Sequence, residues 1–466
     1  MPKKIGPLDV YNMLPKTNCK ECGEANCMAF AAKVVERILT VEKCSPLLQE
    51  KYRESLEKLR AMLRPPVKEV LLGSGDHVAK VGGKLVMFRH ELRYTNPTLI
   101  AVDVNDEMPE ADLVSRVKQI EGFEYRYIGK LLKLDAVAVR STSQDPSRFG
   151  KAVEVVAKAT GLPLILCALN PEVLENGLLA AQEKHPLIYA ATKENWKDVG
   201  ELALMYKSPL AVTTKGDLKL LKSLTNTLLR LGVEDLVLDP GTSFMEGLND
   251  TINNLTQLRW SACREDDLLL GFPLMGAPLA VWTKGDEVPE VTKWKEAILA
   301  SMLLIRYADI LIMHSLDAWV LLPLTILREN IYTDPVKPTS VEAGLKTLGN
   351  PTENSPVMFT TNFALTYFTV TSDIESAKKD CYLIVVDTEG LSVESSVAGR
   401  KLTAEKIADT IKETGIKDKV RHRKLIIPGL AARLRGELEE LTGWEVLVGP
   451  KDSSGIPKFL EEQGYT

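Results

Sequence analysis

Four cysteines stand within 26 positions near the N-terminus, as Cys19-x2-Cys22-x4-Cys27-x16-Cys44, with Gly23 directly after the second. Four thiolates are what a cubane iron–sulfur cluster takes, one per iron, and the first three are close enough in sequence to wrap a single loop around it. Met28 to Thr40 has helical composition and would carry the chain about 20 Å at 1.5 Å per residue, so Cys44 must return through a turn, which Ser45-Pro46 favours. Structural zinc is the alternative, but zinc ribbons pair two C-x2-4-C knuckles, and Cys44 has no Cys or His beside it. The other cysteines, Cys167, Cys263 and Cys381, are scattered. Cys167 and Cys381 adjoin apolar runs, where a thiol packs as a small hydrophobe.

The elements that would hold such a site follow from the apolar pattern. A chain of 466 residues is long enough for roughly three domains. The cysteine module ends at Leu63-Arg64-Pro65-Pro66, whose prolines cannot continue a helix. Val67 to Leu72 and Lys84 to Phe88 flank Gly82-Gly83 and read as a hairpin. Apolar strand-like runs then begin near Thr98, Asp135, Leu162, Leu187, Pro209, Asp235, Pro278 and Asp309, with helix-like segments between them. Strands apolar on both faces and separated by helices require a parallel sheet, and eight such units close naturally into a (β/α)8 barrel; an open doubly wound sheet would read similarly. Asp103, Asp239 and His314 fall near strand ends, where barrel enzymes place catalytic groups, although strand-end carboxylates commonly cap the next helix.

The proline-bearing segment Asn330 to Pro338 reads as a linker. Beyond it lie four more strands, Val357 to Thr361, Tyr382 to Asp387, Lys424 to Pro428 and Glu445 to Gly449, with helical segments at Thr403 to Thr414 and Leu430 to Leu441. Each strand runs into a loop rich in Gly, Ser or Thr: Thr360-Thr361-Asn362, Glu389-Gly390-Leu391-Ser392, Pro428-Gly429 and Asp452-Ser453-Ser454-Gly455. Ligands of α/β sheets bind at the carboxyl ends of strands, and small residues let backbone N–H groups approach them. Ordinary β-to-α turns with helix caps would look the same.

Cys19-Lys20-Glu21-Cys22-Gly23-x3-Cys27 with Cys44, an eight-unit α/β region, and the stretches Thr360 to Thr366, Asp387 to Val393, Ile427-Pro428-Gly429 and Val448 to Gly455 resemble one family through essentially the whole chain. It is the large subunit of the corrinoid iron–sulfur protein, the gamma subunit of the archaeal acetyl-CoA decarbonylase/synthase complex. The resemblance implies an α/β protein of three parts: a small [4Fe–4S] domain at residues 1–62, a TIM barrel at 63–330 and a C-terminal α/β corrinoid-binding domain at 331–466. It implies a methyl carrier working as a methyltransferase component. The Co(I) corrinoid takes a methyl group from a methyl-tetrahydropterin and delivers it to the acetyl-CoA synthase centre, in reversible acetyl-CoA synthesis and cleavage. The cluster returns inactive Co(II) to service by one-electron reduction. Cluster ligation falls to Cys19, Cys22, Cys27 and Cys44, and corrinoid contacts to Thr360, Thr366, Gly390, Leu391, Ser392, Val393 and Ser453. No catalytic residue is implied in the barrel, since the family's methyl donor binds a separate methyltransferase. Implied partners are a smaller subunit forming a heterodimer, that methyltransferase or its methyl-tetrahydropterin, and the acetyl-CoA synthase/CO dehydrogenase subunits. The Asp-x-His-x-x-Gly motif that supplies a lower cobalt ligand in many corrinoid domains is absent, and His422 is the one histidine of the C-terminal region. The implied corrinoid therefore has no protein histidine on cobalt.

A net charge of −5 and a pI of about 5.8 argue against nucleic acid as the main partner. The opening Met1-Pro2-Lys3-Lys4 lacks the apolar segment of a signal peptide, and no stretch approaches the length of a membrane span, so a cytoplasmic protein is expected. From a different class, an iron–sulfur electron-transfer or regulatory protein with a C-terminal nucleotide site competes, weakened by the lack of Gly-x-Gly-x-x-Gly and Walker A sequences.

Overall fold

The alternation of strands and helices closes into a barrel in the computed structural model, which describes residues 5–36, 38–283, 288–335 and 338–465. The opening Met1 to Lys4 and Val336-Lys337 of the expected linker lie outside the described residues. An antiparallel hairpin comes first, β1 (Glu69–Leu72) with β2 (Ala79–Gly82). The barrel strands are β3 (Leu99–Asn105), β6 (Ala136–Arg140), β7 (Leu164–Cys167), β8 (Leu187–Ala191), β9 (Leu210–Thr213), β10 (Leu236–Asp239), β11 (Met275–Gly276) and β12 (Ile310–Met313). A small hairpin, β4 (Glu124–Tyr127) with β5 (Lys130–Lys133), is inserted before β6. All eight barrel strands pair in parallel in the order β10-β9-β8-β7-β6-β3-β12-β11, and a bridge between Leu238 and Leu274 joins the two ends.

Seven of the eight expected strands begin within two residues of the expected position. The run from Pro278 does not: it is a tight 3-10 turn, and the strand is Met275-Gly276 just before it. Proline has no N–H to give a ladder, so the pairing stops short of it. The helices start where polar caps precede the apolar pattern. Asp145 accepts from the N–H of Arg148, Asn170 from that of Glu172, and Asp217 from those of Lys219 and Leu220. Along Leu218–Leu231 the residues Leu221, Leu224, Thr225 and Leu228 are buried, the i, i+3, i+4, i+7 stripe that faces a strand.

Inside the barrel, alanines at 101, 136, 138 and 211 stand among larger residues such as Leu99, Ile165, Leu187 and Ile310. The hairpin adds to this layer. Val70, Leu72 and Val81 join the same apolar cluster, and the hairpin is fastened to segments just preceding β8 and β11, Gly73 N–H donating to His185 (3.2 Å) and Lys68 N–H to Gly271 (2.8 Å). Its second arm is Ala79–Gly82, so the expected arm Lys84 to Phe88 is not a strand. Gly82 and Gly83 have φ of +74° and +68°, a left-handed pair that takes the chain out of the sheet instead of turning it between two arms.

Lys84 then enters a buried polar cluster at the amino end of the barrel. Its ammonium donates to the carbonyls of Thr95 (2.6 Å) and Asn96 (2.7 Å) and to the Tyr332 hydroxyl (2.8 Å), and lies 3.5 Å from Asp309, which also holds Arg259 at 2.7 Å. Burial, partly offset by Asp309 and reinforced by Arg259, pulls the Lys84 pKa down to about 8. From there to the ordinary lysine range the unfolded chain binds a proton that the folded one lacks. Stability is therefore expected to rise with pH above about 8, by an amount of order 3 kcal/mol at most. Denaturant unfolding at pH 8 and 9.5 measures the slope, and Lys84→Met should flatten it.

Residues 125–132 group by packing with 333–466 as a second compact unit, the rest of the chain forming the first. The helix Ala318–Tyr332 runs two residues past Asn330, where the linker was expected to begin. In the second unit β14 (Val357–Thr361), β15 (Cys381–Val386), β16 (Lys424–Ile427) and β17 (Glu445–Val448) are parallel, in the order β15-β14-β16-β17, and β13 (Gly344–Leu348) adds an antiparallel edge. Helices including Ala364–Ser376, Ala404–Glu413 and Ile456–Glu462 accompany the sheet. Among the described residues no helix is long and apolar enough to cross a membrane.

Candidate functional site

Two sites take shape, one around the clustered cysteines and one at the carboxyl ends of β14, β16 and β17. The first belongs to a module with its own small core, in which Val10, Phe30, Leu47 and Leu59 pack together. The helix Cys27–Val35 begins at Asn26, whose side chain accepts from the Ala29 N–H at 2.8 Å. The loop before it is drawn tight by Asn18, whose amide oxygen accepts from Cys27 N–H (2.9 Å) while its own N–H points at the Cys27 sulfur (3.4 Å). Lys16, Asn18, Lys20 and Gly23 all have left-handed φ, and such alternation turns backbone N–H groups toward an anion. Cys44 stands between two short 3-10 turns, Val41–Lys43 and Ser45–Leu48, the second holding the expected Ser45-Pro46 turn, and all four cysteines line one cavity with Phe30 and Pro46. Burial, and secondarily the other three cysteines, push the Cys44 thiol pKa up, against a backbone N–H from Leu47 that lowers it. Among the described residues no three His, Cys, Asp or Glu groups converge as a site for a single metal ion.

The second site is a cavity of about 340 Å³. Chain order places β14 between β15 on one side and β16 on the other, so strand order reverses there. β14 and β16 are joined through Met358 and Ile426 alone, and the crevice opens beside this switch point, where open α/β sheets take their ligands. Of the seven expected contacts, Thr360, Thr366, Ser392, Val393 and Ser453 line the cavity. Thr360 is 1% exposed, and among the described residues its hydroxyl has no hydrogen-bond partner. Ser392 also caps the helix Val393–Ala398 by accepting from Ser395 N–H. Leu365 and Leu430 stand half exposed in the cavity wall.

Gly390 and Leu391 do not line it. Their loop is held by Asn362, whose side-chain oxygen accepts from Thr388 N–H (2.9 Å), the Thr388 hydroxyl (3.0 Å) and Gly390 N–H (3.0 Å). Gly390 has φ +77°, and a Cβ there would lie 3.0 Å from Pro338 and 3.4 Å from Ser340. Met358, Ile426 and Ile427 on the strands, and Lys451 and Asp452 beyond β17, also line the cavity; the strand positions read as plain core in the sequence. His422 lies elsewhere, its ring nitrogens facing the Ser355 carbonyl (2.9 Å) and the Lys424 N–H (3.2 Å).

At the carboxyl mouth of the barrel, Asp103 is buried and held by His314 Nδ1 (2.6 Å), Arg140 Nε (2.5 Å) and Arg116 (3.4 Å). Burial opposes its charge, but these partners prevail and lower its pKa. Asp239, whose pKa burial raises, accepts from the Tyr189 (2.7 Å) and Thr213 (3.0 Å) hydroxyls. Both carboxylates are engaged by side chains from other elements of the barrel.

A family model described as "CO dehydrogenase/acetyl-CoA synthase delta subunit" matches residues 69–460, and one described as "Putative Fe-S cluster" matches 14–46. The chain is 46% identical over 460 residues to the acetyl-CoA decarbonylase/synthase complex subunit gamma of Methanosarcina acetivorans, covering 98% of each. It is 45% identical to the subunit of that name from Archaeoglobus fulgidus, over 99% of this chain and 98% of that one. Among solved structures, a dihydropteroate synthase from Thermus thermophilus aligns at 17% identity over 56% of this chain and 99% of its own, with a TM-score of 0.39, too low to carry an argument. The full-length likeness spans the cysteine module as well as both α/β regions, and the chain belongs to the family of acetyl-CoA decarbonylase/synthase gamma subunits.

Proposed function

We propose that this protein is the corrinoid methyl carrier of an acetyl-CoA decarbonylase/synthase complex. It accepts a methyl group from a methyl-tetrahydropterin and delivers it to the acetyl-CoA synthase centre. The observation that carries the reading is the crevice at the switch point of the C-terminal sheet, with the buried, unpartnered Thr360 hydroxyl in its wall. An orphaned hydroxyl costs stability unless a ligand pairs it. A cavity of 340 Å³ is at the small end for an organic ligand and would enclose one end of a corrinoid, leaving the remainder over the mouth. When bound, the corrinoid supplies a cobalt centre that takes and gives up the methyl group as Co(I) is regenerated. The chain's residues orient it: Thr360, Thr366 and Ser453 offer hydroxyls, Val393, Leu365 and Leu430 apolar surface. With both His422 nitrogens engaged, no histidine of this unit is free to ligate cobalt.

The four thiols suit a [4Fe–4S] cluster, which needs one thiolate per iron around a body of several atoms, better than one tetrahedral ion. We assign it the reductive recovery of Co(II). We divide the chain into a cluster domain (1–62), a barrel (63–330) and a corrinoid domain (331–466). Its partners are a smaller corrinoid-protein subunit and the acetyl-CoA synthase/CO dehydrogenase subunits.

Thr360→Val tests the site. Removing an unpaired hydroxyl should leave the melting temperature of corrinoid-free protein unchanged or raised, while the lost hydrogen bond weakens corrinoid binding by up to roughly thirteenfold. Unchanged affinity would move the corrinoid away from β14, and an absorption spectrum of anaerobically purified protein lacking corrinoid bands would favour a nucleotide site instead. Gly390→Val should destabilise the C-terminal unit by about 1 to 3 kcal/mol with or without cofactor, because of its left-handed φ and Pro338.

A further inference from the structure

We propose that the hairpin β4–β5 is a positioning element of the C-terminal cavity: its turn, Ile128-Gly129, seats Phe368 and so fixes the helix Ala364–Ser376, which walls the crevice. The inference rests on the reading of that crevice as the corrinoid site.

The hairpin comes from far back in the chain. Residues up to Glu124 and from Lys133 pack with the first unit, but Tyr125–Leu132 pack with the second. Two residues join its strands, Ile128 and Gly129, with φ of +47° and +71°. Paired left-handed residues suit a two-residue hairpin turn; glycine takes such a position at no cost, whereas a β-branched isoleucine is an outlier there. A Cβ on Gly129 would lie 2.0 Å from Cζ of Phe368 and within 2.8 Å of two further ring carbons, so the ring lies directly against the bare backbone of the turn.

The helix that carries Phe368 needs this support. It supplies Leu365, Thr366, Thr369 and Val370 to the cavity wall. These lie in its first two turns, where no side chain from Leu365 to Val370 is fully buried; the inward anchors are Ala364 at the start and Thr371 and Ile374 beyond. Its cap position holds Phe363, which has no side-chain acceptor for the free N–H groups. The two turns overhang the crevice. Phe368 projects about 60° round the helix from Leu365, away from the other cavity residues, and meets Tyr367 edge-on with 5.1 Å between ring centroids. The hairpin thus holds the overhang from outside and does not itself line the cavity.

Seating and binding are therefore linked. With the tip withdrawn, the overhanging turns sample other positions, and a ligand that needs the seated wall binds more weakly in proportion to the fraction seated. The coupling is reciprocal: corrinoid in the crevice favours the seated hairpin by the same factor.

The test uses the full-length protein with aquacobalamin as probe, affinity coming from absorbance titration and local opening from amide exchange read by mass spectrometry. In wild type, bound aquacobalamin is expected to slow exchange about fivefold in Tyr125–Leu132, which lies outside the cavity wall, as well as in Leu365–Val370. Gly129→Asn tolerates the left-handed φ but sets a side chain against the ring, and Phe368→Ala removes the ring. Each is expected to weaken binding about fivefold or more. Combined, they should cost no more than about twofold beyond the worse single variant, since both break one contact. Phe368→Leu, which keeps apolar bulk over the turn, should bind more tightly than Phe368→Ala. Single variants that bind as tightly as wild type would overturn the proposal, as would losses that multiply in the double variant. So would exchange in Tyr125–Leu132 that bound aquacobalamin leaves unchanged, a measurement that needs no variant to fold. Wild-type protein that takes up no aquacobalamin would overturn the corrinoid reading itself, a separate and visible failure.

Discussion

Cys44→Ser is expected to remove nearly all of about four irons per chain while leaving the barrel's thermal transition in place. Cys44 reaches the site from the far side of a helix, is 6% exposed, and has no substitute: the remaining cysteines, at 167, 263 and 381, lie in the barrel and the C-terminal sheet. A buried serine hydroxyl without a partner adds about 1 to 3 kcal/mol of local cost. The module packs through its own core of Val10, Phe30, Leu47 and Leu59, so the loosening should stay local. Iron analysis and scanning calorimetry on the same sample decide it. Iron remaining near four per chain would take Cys44 out of the ligand set.

The second large effect lies at the opposite functional extreme. Asp309→Asn keeps shape and volume but removes the one carboxylate that, among the described residues, pairs with Lys84 and Arg259, whose side chains are 5% and 1% exposed. Breaking a buried ion pair this way costs about 3 to 5 kcal/mol, because the uncompensated cations stay out of water. Denaturant unfolding of the barrel should show the loss, and adding Lys84→Met should recover part of it by removing one stranded charge. A loss below about 1 kcal/mol would mean that water reaches the cluster and screens it.

Barrel strands such as Leu99–Asn105 and Ala136–Arg140 were legible because both their faces are buried, which forces an apolar run whatever the topology. Met275-Gly276 was misplaced because two residues make no pattern of their own. The edge strand Gly344–Leu348 was missed because it is only partly buried and carries Gly, Lys and Thr. That the four cysteines gather around one cavity was legible from their type and spacing. The cavity was legible only in part. Loop chemistry named Thr360 and Ser453 but could not separate them from Gly390, whose backbone serves the loop's own packing against Pro338. Met358 and Ile426 gave no sign at all, because a residue beside a crevice and a residue in a core look alike when the crevice is made by strand order. The salt-linked clusters around Asp309 and Asp103 join residues separated by 50 and by 211 positions, beyond any local pattern.

The hairpin Glu69–Gly82 closes the barrel from below, yet it leaves the ribosome before every strand it touches. Its apolar residues Val70, Leu72 and Val81 share a cluster with Met275 and Ile310, more than 190 residues later in the chain. Until β12 has been made and the barrel has closed, two short strands with apolar faces and open edges have nowhere to go. Contacts this distant in sequence form slowly, because the intervening chain must first be ordered. The hairpin's full set of contacts is therefore complete only once the last strands are in place, and its protection from solvent exchange is expected to report completion of the whole unit.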